Sequence, residues 1–574
     1  MKKIILFVFF TTSVVFSQKE LWTYSVVNYI PEIDNHDLVR LPIAGDNVVF
    51  EVMHRFDPTG PNRNIPRGRP LLASNGKLYG VVCTGDVVPA DPTGLLFEYD
   101  LILNKYRTVS TSIINSYQSL IEGPGNKLYG ICNGGRAIFT YNLITDVTTI
   151  VTSIPSFTCF TSYQPLIIDE FILASDGNMY AIANNVKDTN NCAVQNAGIL
   201  KYNPNTNTFT VPFKFGEGLT VGVYYPHRDP LVEGAPGKLY GTADGGGPQP
   251  FINGINPYGS GTLFEYDIYT NILTKKFEFD VNSIGQAPSA LVRVASNILY
   301  GTLVSHYDHS LGLPNVHGSI FEYNTLTDQL TIKRVIDLNN DLIYNISSQD
   351  EGLYASDGNF YFMSEFGIQR YNPITNSIIK KTNALYQWDF HTPIEICRKP
   401  SYQEFLPNTY APAVGTAFTF NVQNTNATTY VWKKVTTVLP GQTTGILNLP
   451  NVTAGDTGVY TCTMTNECGT TVTANLNINV SNLGTDTIEN YKQQITLYPN
   501  PTKGILNLKF PENRGLKASS YKITNLLGQI IEEKDISNST KTELTINTSS
   551  FANGVYQITL VTDKGNWNGK FIKE

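Results

Sequence analysis

At 574 residues and 63.6 kDa the chain exceeds what one hydrophobic core can organise, so several domains are expected. Charged residues make up only 16% and aromatics 11%, a balance that suits an extracellular β protein better than an ordinary soluble domain. The formal net charge of −7 argues against nucleic acid as a partner.

The first seventeen residues, MKKIILFVFFTTSVVFS, join Lys2 and Lys3 to an apolar run from Ile4 to Phe10 and end in small residues before Gln18. This is the pattern of a secretory signal peptide, and its removal leaves the charge at −9. No later segment offers the roughly 18 apolar residues that a membrane helix needs. The mature chain is therefore expected to pass the periplasm to the outside, where its disulfides can persist.

From residue 78 a repeat begins. Leu78, Tyr79 and Gly80 return at 128–130, 239–241 and 299–301, with weaker copies at Met179–Ala181 and Phe360–Phe362. Behind each lies a partner: LFEYD (96–100), IFTYN (138–142), ILKYN (199–203), LFEYD (263–267), IFEYN (320–324) and IQRYN (368–372). Each unit opens with a short apolar piece and a tight turn and closes with a fourth strand such as KYRTVS, so each spells about four strands. Asn75/Gly76, Asp176/Gly177 and Asp357/Gly358 predict hairpins between strands one and two. Asn203/Pro204 and Asn372/Pro373 predict turns between strands three and four. Four-stranded units every 50 to 61 residues predict a kelch-like β-propeller of about six blades, with a seventh, degenerate blade left open. The segment NVVFEVMHRFD (47–57) reads as a fourth strand without the preceding three, expected to complete the last blade.

LYGTADGGG (239–247) followed by GTLFEYD (261–267) resembles the tandem repeat of the secreted bacterial family called GloVer. Gly241 and Gly245 to Gly247 then read as small residues that let the exit loop fold back near the next blade. A phosphate cradle would need a helix to follow, and a strand follows instead.

Long loops between strands two and three at 81–94, 182–197, 242–260 and 302–318 share one face of such a propeller, which is where binding is expected. The candidate binding residues there are Asp86, Asp244, His306, Asp308, His309 and His317. A metal in the 302–318 loop is one reading of its histidines and aspartate; a solvated polar loop is the simpler one, and no cofactor is otherwise implied. Glu98, Glu265 and Glu322 occupy a column of strand three that holds Thr140, Lys201 and Arg370 in the other repeats, and a column that accepts both charges reads as a solvated face rather than a catalytic one. Among the cysteines, the expected pairs are Cys83–Cys132, Cys159–Cys192 and Cys397–Cys468. No carboxylates are visibly paired for glycoside cleavage, Asp188 included, and no nucleophile elbow is present, so catalysis is the alternative reading.

From about 397 the repeat stops. Trp432 together with Asp456, Gly458, Tyr460 and Cys462 resembles the core and tyrosine corner of an immunoglobulin-like sandwich, covering 397–480. Phe418 and Phe420 stand where the partner cysteine of that family would be, so Cys462 is expected as a buried thiol.

After the polar stretch 481–494, residues 495–574 resemble the small β-sandwich C-terminal sorting domain of the Bacteroidota type IX secretion system. Tyr498, Pro499, Asn500, Pro501 and Gly504 match its opening motif, Gly528 its mid-domain turn, Gly554 and Tyr556 its Gly-Val-Tyr strand, and Lys570 and Lys573 its basic ending. The resemblance implies the secretion machinery as a partner, removal of the domain within the linker, and either surface attachment or release. The whole reads as an all-β exported protein: leader 1–17, propeller 18–396, spacer 397–480, linker 481–494 and sorting domain 495–574. Its expected function is non-catalytic binding of a polysaccharide or an extracellular protein. A polysaccharide-degrading enzyme and a structural surface-layer component are the alternatives.

Overall fold

The computed structural model describes residues 19–30, 33–56, 64–84, 93–114, 119–133, 137–153, 170–188, 191–215, 223–226, 230–245, 261–279, 286–289, 291–304, 318–336, 352–364, 367–382, 392–423, 425–481, 495–509, 517–537, 543–563 and 565–574. The chain divides into two compact units. One is Met1–Gln403 with Asn424–Thr428 and Thr465–Thr471; the other is Glu404–Gln423, Thr429–Met464 and Val472–Glu574. Among the described residues no helix is long and apolar enough to cross a membrane.

In the first unit each repeat forms its own antiparallel sheet, with strands in chain order from one edge to the other. Sheet I consists of Asn64–Leu72, Leu78–Thr84, Thr93–Asp100 and Lys105–Ile114. Sheet II consists of Ile121–Gly123, Lys127–Cys132, Ala137–Asn142 and Val147–Ser153. Sheet III consists of Ile172–Leu173, Met179–Asp188, Asn191–Asn203 and Thr208–Lys214. Sheet IV runs from Val232–Ala235 through Lys238–Gly245 and Thr262–Asp267 to Ile272–Glu278, with Tyr224–Pro226 added beside its second strand. Sheet V repeats that plan with Val292–Ala295, Ile298–Val304, Ser319–Asn324 and Gln329–Val335, joined by Gln286–Pro288. Sheet VI consists of Leu353–Tyr354, Phe360–Ser364, Gly367–Asn372 and Ser377–Lys380.

A seventh sheet is assembled from both ends of the unit: Ile394–Cys397, Lys19–Ile30, Ile33–Pro42 and Glu51–Arg55, in that order. This corrects the reading of 47–57 as a lone strand completing the sixth blade. Glu51–Arg55 pairs with Ile33–Pro42 in a sheet of its own. Trp22 pairs with Ile394 as Tyr79 pairs with Leu71, so Leu21–Trp22 occupies the Leu-Tyr position of the repeat.

Seven apolar clusters join the sheets into a closed, propeller-like circuit: I with II, II with III, III with IV, IV with V, V with VI, VI with VII, and VII with I. Tyrosine supplies the recurring contact. The second-strand ring of one sheet meets a third-strand ring of the next in Tyr79–Tyr141, Tyr129–Tyr202, Tyr180–Tyr266 and Tyr240–Tyr323, with Trp22 on Tyr99 at closure. Such tilted aromatic pairs add to the burial of two large side chains. Gly241 serves this packing within its own sheet: a Cβ there would lie 2.5 Å from the Phe264 ring, so the glycine makes room for a cross-strand phenylalanine and not for a returning loop.

The turns between strands three and four share one chemistry. Asp100, Asn142, Asn203, Asp267, Asn324 and Asn372 each accept two backbone N–H groups with one side-chain oxygen. Four residues on, Asn104, Asp146, Asn207, Asn271, Asp328 and Asn376 take φ between 51° and 62°, which Asn and Asp tolerate. The last five of these accept the hydroxyl of the tyrosine five residues back.

Closure is polar as well as apolar. Glu20, 1% exposed, accepts from Arg40 at 2.7 Å and from the Trp22 indole at 2.9 Å, with Arg398 3.5 Å away. Burial pushes the Glu20 carboxyl above its usual range, against the pull of Arg398 and Arg40. Lys381, fully buried, donates to the carbonyls of Ile43, Ala44 and Gly45 and so ties sheet VI to sheet VII; burial pushes its ammonium down to about 8. Beyond the closing strand Arg398 donates to Asn104 and the Tyr402 amide to Ile102, both in the turn between strands three and four of sheet I. The Arg398 carbonyl accepts from Asn426 and Asn466, and Cys397 is joined to Cys468 with Cα atoms 5.3 Å apart.

The expected Cys83–Cys132 bridge is absent, and both residues are buried as thiols. Cys132 is spent in the cluster between sheets I and II beside Ile113, Leu120 and Ala137, and Cys83 lies across from Ile65 and Gly94 at a strand end. The Cys159–Cys192 pair lies outside the described residues.

In the second unit, Thr409–Tyr410, Leu476–Ile478, Gly458–Asn466 and Thr429–Lys434 lie side by side, and Phe418–Asn421 pairs with Ile446–Leu449. Phe420 meets Trp432 edge-on at 6.4 Å, and the Tyr460 hydroxyl donates to the Asp456 carbonyl at 2.7 Å. Cys462 is fully buried and free, its thiol pushed up to about 12 by burial. The last segment is a sandwich of Thr496–Tyr498, Ile505–Lys509 and Glu543–Asn547 with Ile530–Asp535, Ala518–Asn525, Gly554–Thr562 and Gly565–Lys573. Its core holds Leu506, Leu508, Ile523, Ile558, Leu560 and Phe571.

Candidate functional site

First strands of neighbouring sheets approach one another, so they line the inside of the circuit. Antiparallel pairing then puts the start of every first strand on the same face as the loops between strands two and three. Register makes Arg69, Ser119 and Glu170 equivalent positions, each two residues before the residue opposite a second-strand tyrosine. The Arg69 amide donates to the Ser119 hydroxyl at 2.9 Å, and its guanidinium reaches past sheet II to Glu170 in sheet III at 3.1 Å. Gly68 permits the approach: its φ is +64°, and a Cβ would lie 2.4 Å from the Ser119 nitrogen.

Of the predicted binding positions, only Asp244 falls among the described residues. Asp86, His306, Asp308, His309 and His317 lie outside the described residues. Asp244 sits near the loop end of the second strand of sheet IV, its side chain outside the description. No two of them are brought together by described geometry. Among the described residues no cluster of three or more His, Cys, Asp or Glu is placed to hold a metal ion.

The opposite face is stapled sheet to sheet. Glu122, Glu233 and Glu395, equivalent residues of first strands, each accept from the backbone N–H and hydroxyl of a serine in the preceding sheet's hairpin: Ser74, Ser175 and Ser356. Farther out, Arg107 pairs with Asp146 and Lys276 with Asp328, each in the next sheet's turn.

The glutamate column is less solvated than expected: Glu98 and Thr140 are buried, and Lys201, Glu265, Glu322 and Arg370 are partly buried and ion-paired. Glu98 is 4% exposed and accepts from Lys77, Tyr79 and Arg107. Burial pushes its carboxyl up, but those three hydrogen bonds outweigh burial and hold it below the usual range. Tyr240 donates to Glu265 in the same way; where the column holds Lys201 or Arg370, the tyrosines Tyr180 and Tyr361 turn to Asp176 and Asp357 in the hairpin. The column's charge changes sign only where an opposite charge is supplied beside it: Lys201 pairs with Asp176 and Arg370 with Asp46.

In the terminal sandwich the predicted motif residues converge on the last strand. Peptide bonds Tyr498–Pro499 and Asn500–Pro501 are cis. Asn500 donates to the Lys570 carbonyl and accepts the Ile572 amide, and Thr502 exchanges backbone bonds with Ile572 and Glu574. The motif therefore caps the edge of Gly565–Lys573, which would otherwise present unpaired backbone groups. Thr502 is buried and donates to the Ile505 carbonyl at 2.7 Å, and Gly504 follows in that turn. Tyr556 stacks on Phe571 and donates to the Ala552 carbonyl at 2.7 Å. Gly528 takes φ +78° in a hairpin turn. Lys570 is exposed, whereas Lys573 is buried beside Thr502.

Residues 496–574 match the family model described as a secretion system C-terminal sorting domain. The chain thus carries a sorting domain of the type IX secretion system, which places it at the cell surface or beyond. No curated protein matches the chain. Among solved structures it is similar to an α-L-arabinanase of Penicillium chrysogenum with arabinobiose (12% identity, TM-score 0.33, covering 58% of this chain and 94% of that one). It is similar also to a GH93 α-L-arabinofuranosidase of Fusarium graminearum with arabinobiose (12%, 0.33, 59% and 96%) and to a luciferin-regenerating enzyme (15%, 0.27, 44% and 77%). The circuit described above rests on sheet order and shared clusters, not on these likenesses.

Proposed function

We propose that the chain is an exported binding protein that holds a polysaccharide or an extracellular protein, without altering it, on the loop-bearing face of a seven-bladed, GloVer-type propeller. An immunoglobulin-like spacer at 397–480 and a sorting domain at 495–574 follow the propeller at 18–396. The leader 1–17 opens the route through the periplasm, and the linker 481–494 is where the sorting domain is cut away. The observation that carries the binding reading is the contrast between the two faces. One is fixed by recurring Asx turns and serine–glutamate staples; the other carries loops of unequal length around the Arg69–Glu170 rim. Among the described residues the recurring carboxylates of the repeat are engaged in ion pairs, tyrosine hydrogen bonds, serine staples and turn-amide bonds, which supports binding over cleavage.

The test is retention of the mature chain on arrays of plant, algal and microbial polysaccharides, with and without chelator. Retention on one glycan class with the glycan left intact supports the reading, and a chelator effect would bring the 302–318 loop into the site. Release of shortened oligosaccharides would replace it with a degrading enzyme, and no retention would move the ligand to protein.

A further inference from the structure

In the terminal sandwich the turn between Ala518–Asn525 and Ile530–Asp535 carries the wrong residues for a turn. Leu526 and Leu527 are 75% and 83% exposed, and Ile530 and Ile531 just beyond are 53% and 39% exposed. Solvent-facing turns are ordinarily built of Gly, Asn, Asp and Ser. Four large apolar side chains within six residues are a patch, not scattered surface residues. The other exposed apolar residues of the domain, Ile505, Ile572 and Tyr498, lie on different strands.

The turn is also held rigid. The Asn525 side-chain oxygen accepts the amides of Leu527 and Gln529, each at 3.0 Å, and its nitrogen donates to the Gln529 side chain at 2.8 Å. The Asn525 amide donates to the Gln529 carbonyl and the Gly528 amide to the Asn525 carbonyl. Asn525 is itself paired with Tyr556 of the Gly-Val-Tyr strand. A rigid apolar projection loses little conformational entropy when it is covered. Behind it, Ile530–Asp535 is an edge strand, paired on one side only, that continues as Glu532, Glu533, Lys534 and Asp535.

We infer that Leu526 and Leu527, flanked by Ile530 and Ile531, are a docking knob for a component of the secretion machinery that offers an apolar recess with a basic rim. The patch lies within the span 496–574 that matches the sorting domain, at the free edge of the sheet opposite the last strand, whose own edge the Asn500–Thr502 segment already covers. The acidic run beyond the isoleucines sets the charge of the recess's rim. The inference rests on the export reading.

The test uses the full chain, leader included, expressed in a bacterium that possesses this secretion system. Leu526→Ser with Leu527→Ser should lower the extracellular and surface-bound fraction about tenfold or more, with periplasmic accumulation and an unchanged melting temperature. Leu526→Met with Leu527→Met should restore export, and Ile530→Thr with Ile531→Thr, which keeps the strand, should give an intermediate loss. A chain lacking 496–574 separates the two readings: if it is exported normally, the export reading fails. If that deletion is retained while the double serine variant leaves at the normal rate, the knob is overturned. Vesicle binding by the purified chain that the serine variant loses, with export unchanged, would assign the patch to a lipid surface instead.

Discussion

Asn500 and Ile572 hold each other across the terminal sandwich: the Ile572 amide donates to the Asn500 side-chain oxygen at 2.9 Å, while the asparagine nitrogen donates to Lys570 two residues earlier. One amide side chain thereby imitates a neighbouring strand. Asn500→Ala should cost about 1–3 kcal/mol through the two lost bonds. Asn500→Asp, which keeps the acceptor, should cost less. Urea unfolding of the chain, followed by hydrogen exchange of the Ile572 amide, measures both.

Cys397 and Cys468 fasten the end of the closing strand. Replacing either by serine should destabilise the first unit by about 2–4 kcal/mol. Thiol titration should separate the remaining cysteines. Cys132 and Cys462, pushed up to about 11 and about 12 by burial, should resist alkylation at pH 8 until the protein unfolds.

Glu20 neutralises two buried guanidiniums. Glu20→Gln keeps the shape and removes the charge, leaving Arg40 its second partner Glu51 and weakening the hold on Arg398. Loss of one member of a buried ion-pair network typically costs about 3–5 kcal/mol. Denaturant unfolding read by the fluorescence of Trp22, which donates to Glu20, checks it.

Acid should loosen the contacts between sheets I and II and within sheet IV. Asp146 and Asp267 are both held down to about 2, the first chiefly by the hydrogen bond from Arg107 and the second chiefly by that from Lys238. A depressed carboxylate stabilises the fold above its unfolded value of 3.8, and this contribution is lost as pH falls through about 2. Glu20, raised by burial, works in the opposite direction over its own window above 4.5. Melting temperatures between pH 4 and pH 2 should fall less steeply in Asp146→Asn than in the parent.

Two glycines distinguish packing from conformation. A Cβ on Gly80 would lie 2.5 Å from the Phe97 ring and 2.0 Å from the Tyr24 hydroxyl, so Gly80→Ala should cost about 1–3 kcal/mol or more by overpacking. Gly125, at φ +79° with nothing near its missing Cβ, should cost about 1 kcal/mol as alanine, from backbone strain alone. Thermal melts of the two variants make the comparison.

Much of the first unit was legible because its strands are spelled repeatedly, so that Leu-Tyr-Gly and its partner stand out wherever they recur. Leu21–Trp22 was missed because tryptophan and threonine replace tyrosine and glycine, and because its sheet is divided between distant parts of the chain. The turn network was only half legible. Two Asn-Pro pairs were visible, whereas the rule of an Asn or Asp five residues after a tyrosine needed the hydroxyl contacts to acquire meaning. The glutamate column misled because charge variation along one position resembles exposure unless the compensating residue, Asp176 for Lys201 and Asp46 for Arg370, is known to be its neighbour. Binding residues were the least legible, since irregular loops have no period to betray which side chains converge.

The seventh sheet cannot be completed until Ile394–Cys397 reaches Lys19–Ile30, and Lys381, which holds the carbonyls of Ile43 to Gly45, lies only shortly before it in the chain. Three strands made first must wait, with an open edge, for one made nearly last. That makes folding of the first unit slow and cooperative, since its longest-range pairing is also its last. The ring therefore has to await nearly the whole length of its own unit, whereas the sorting domain begins only about a hundred residues beyond the closing strand.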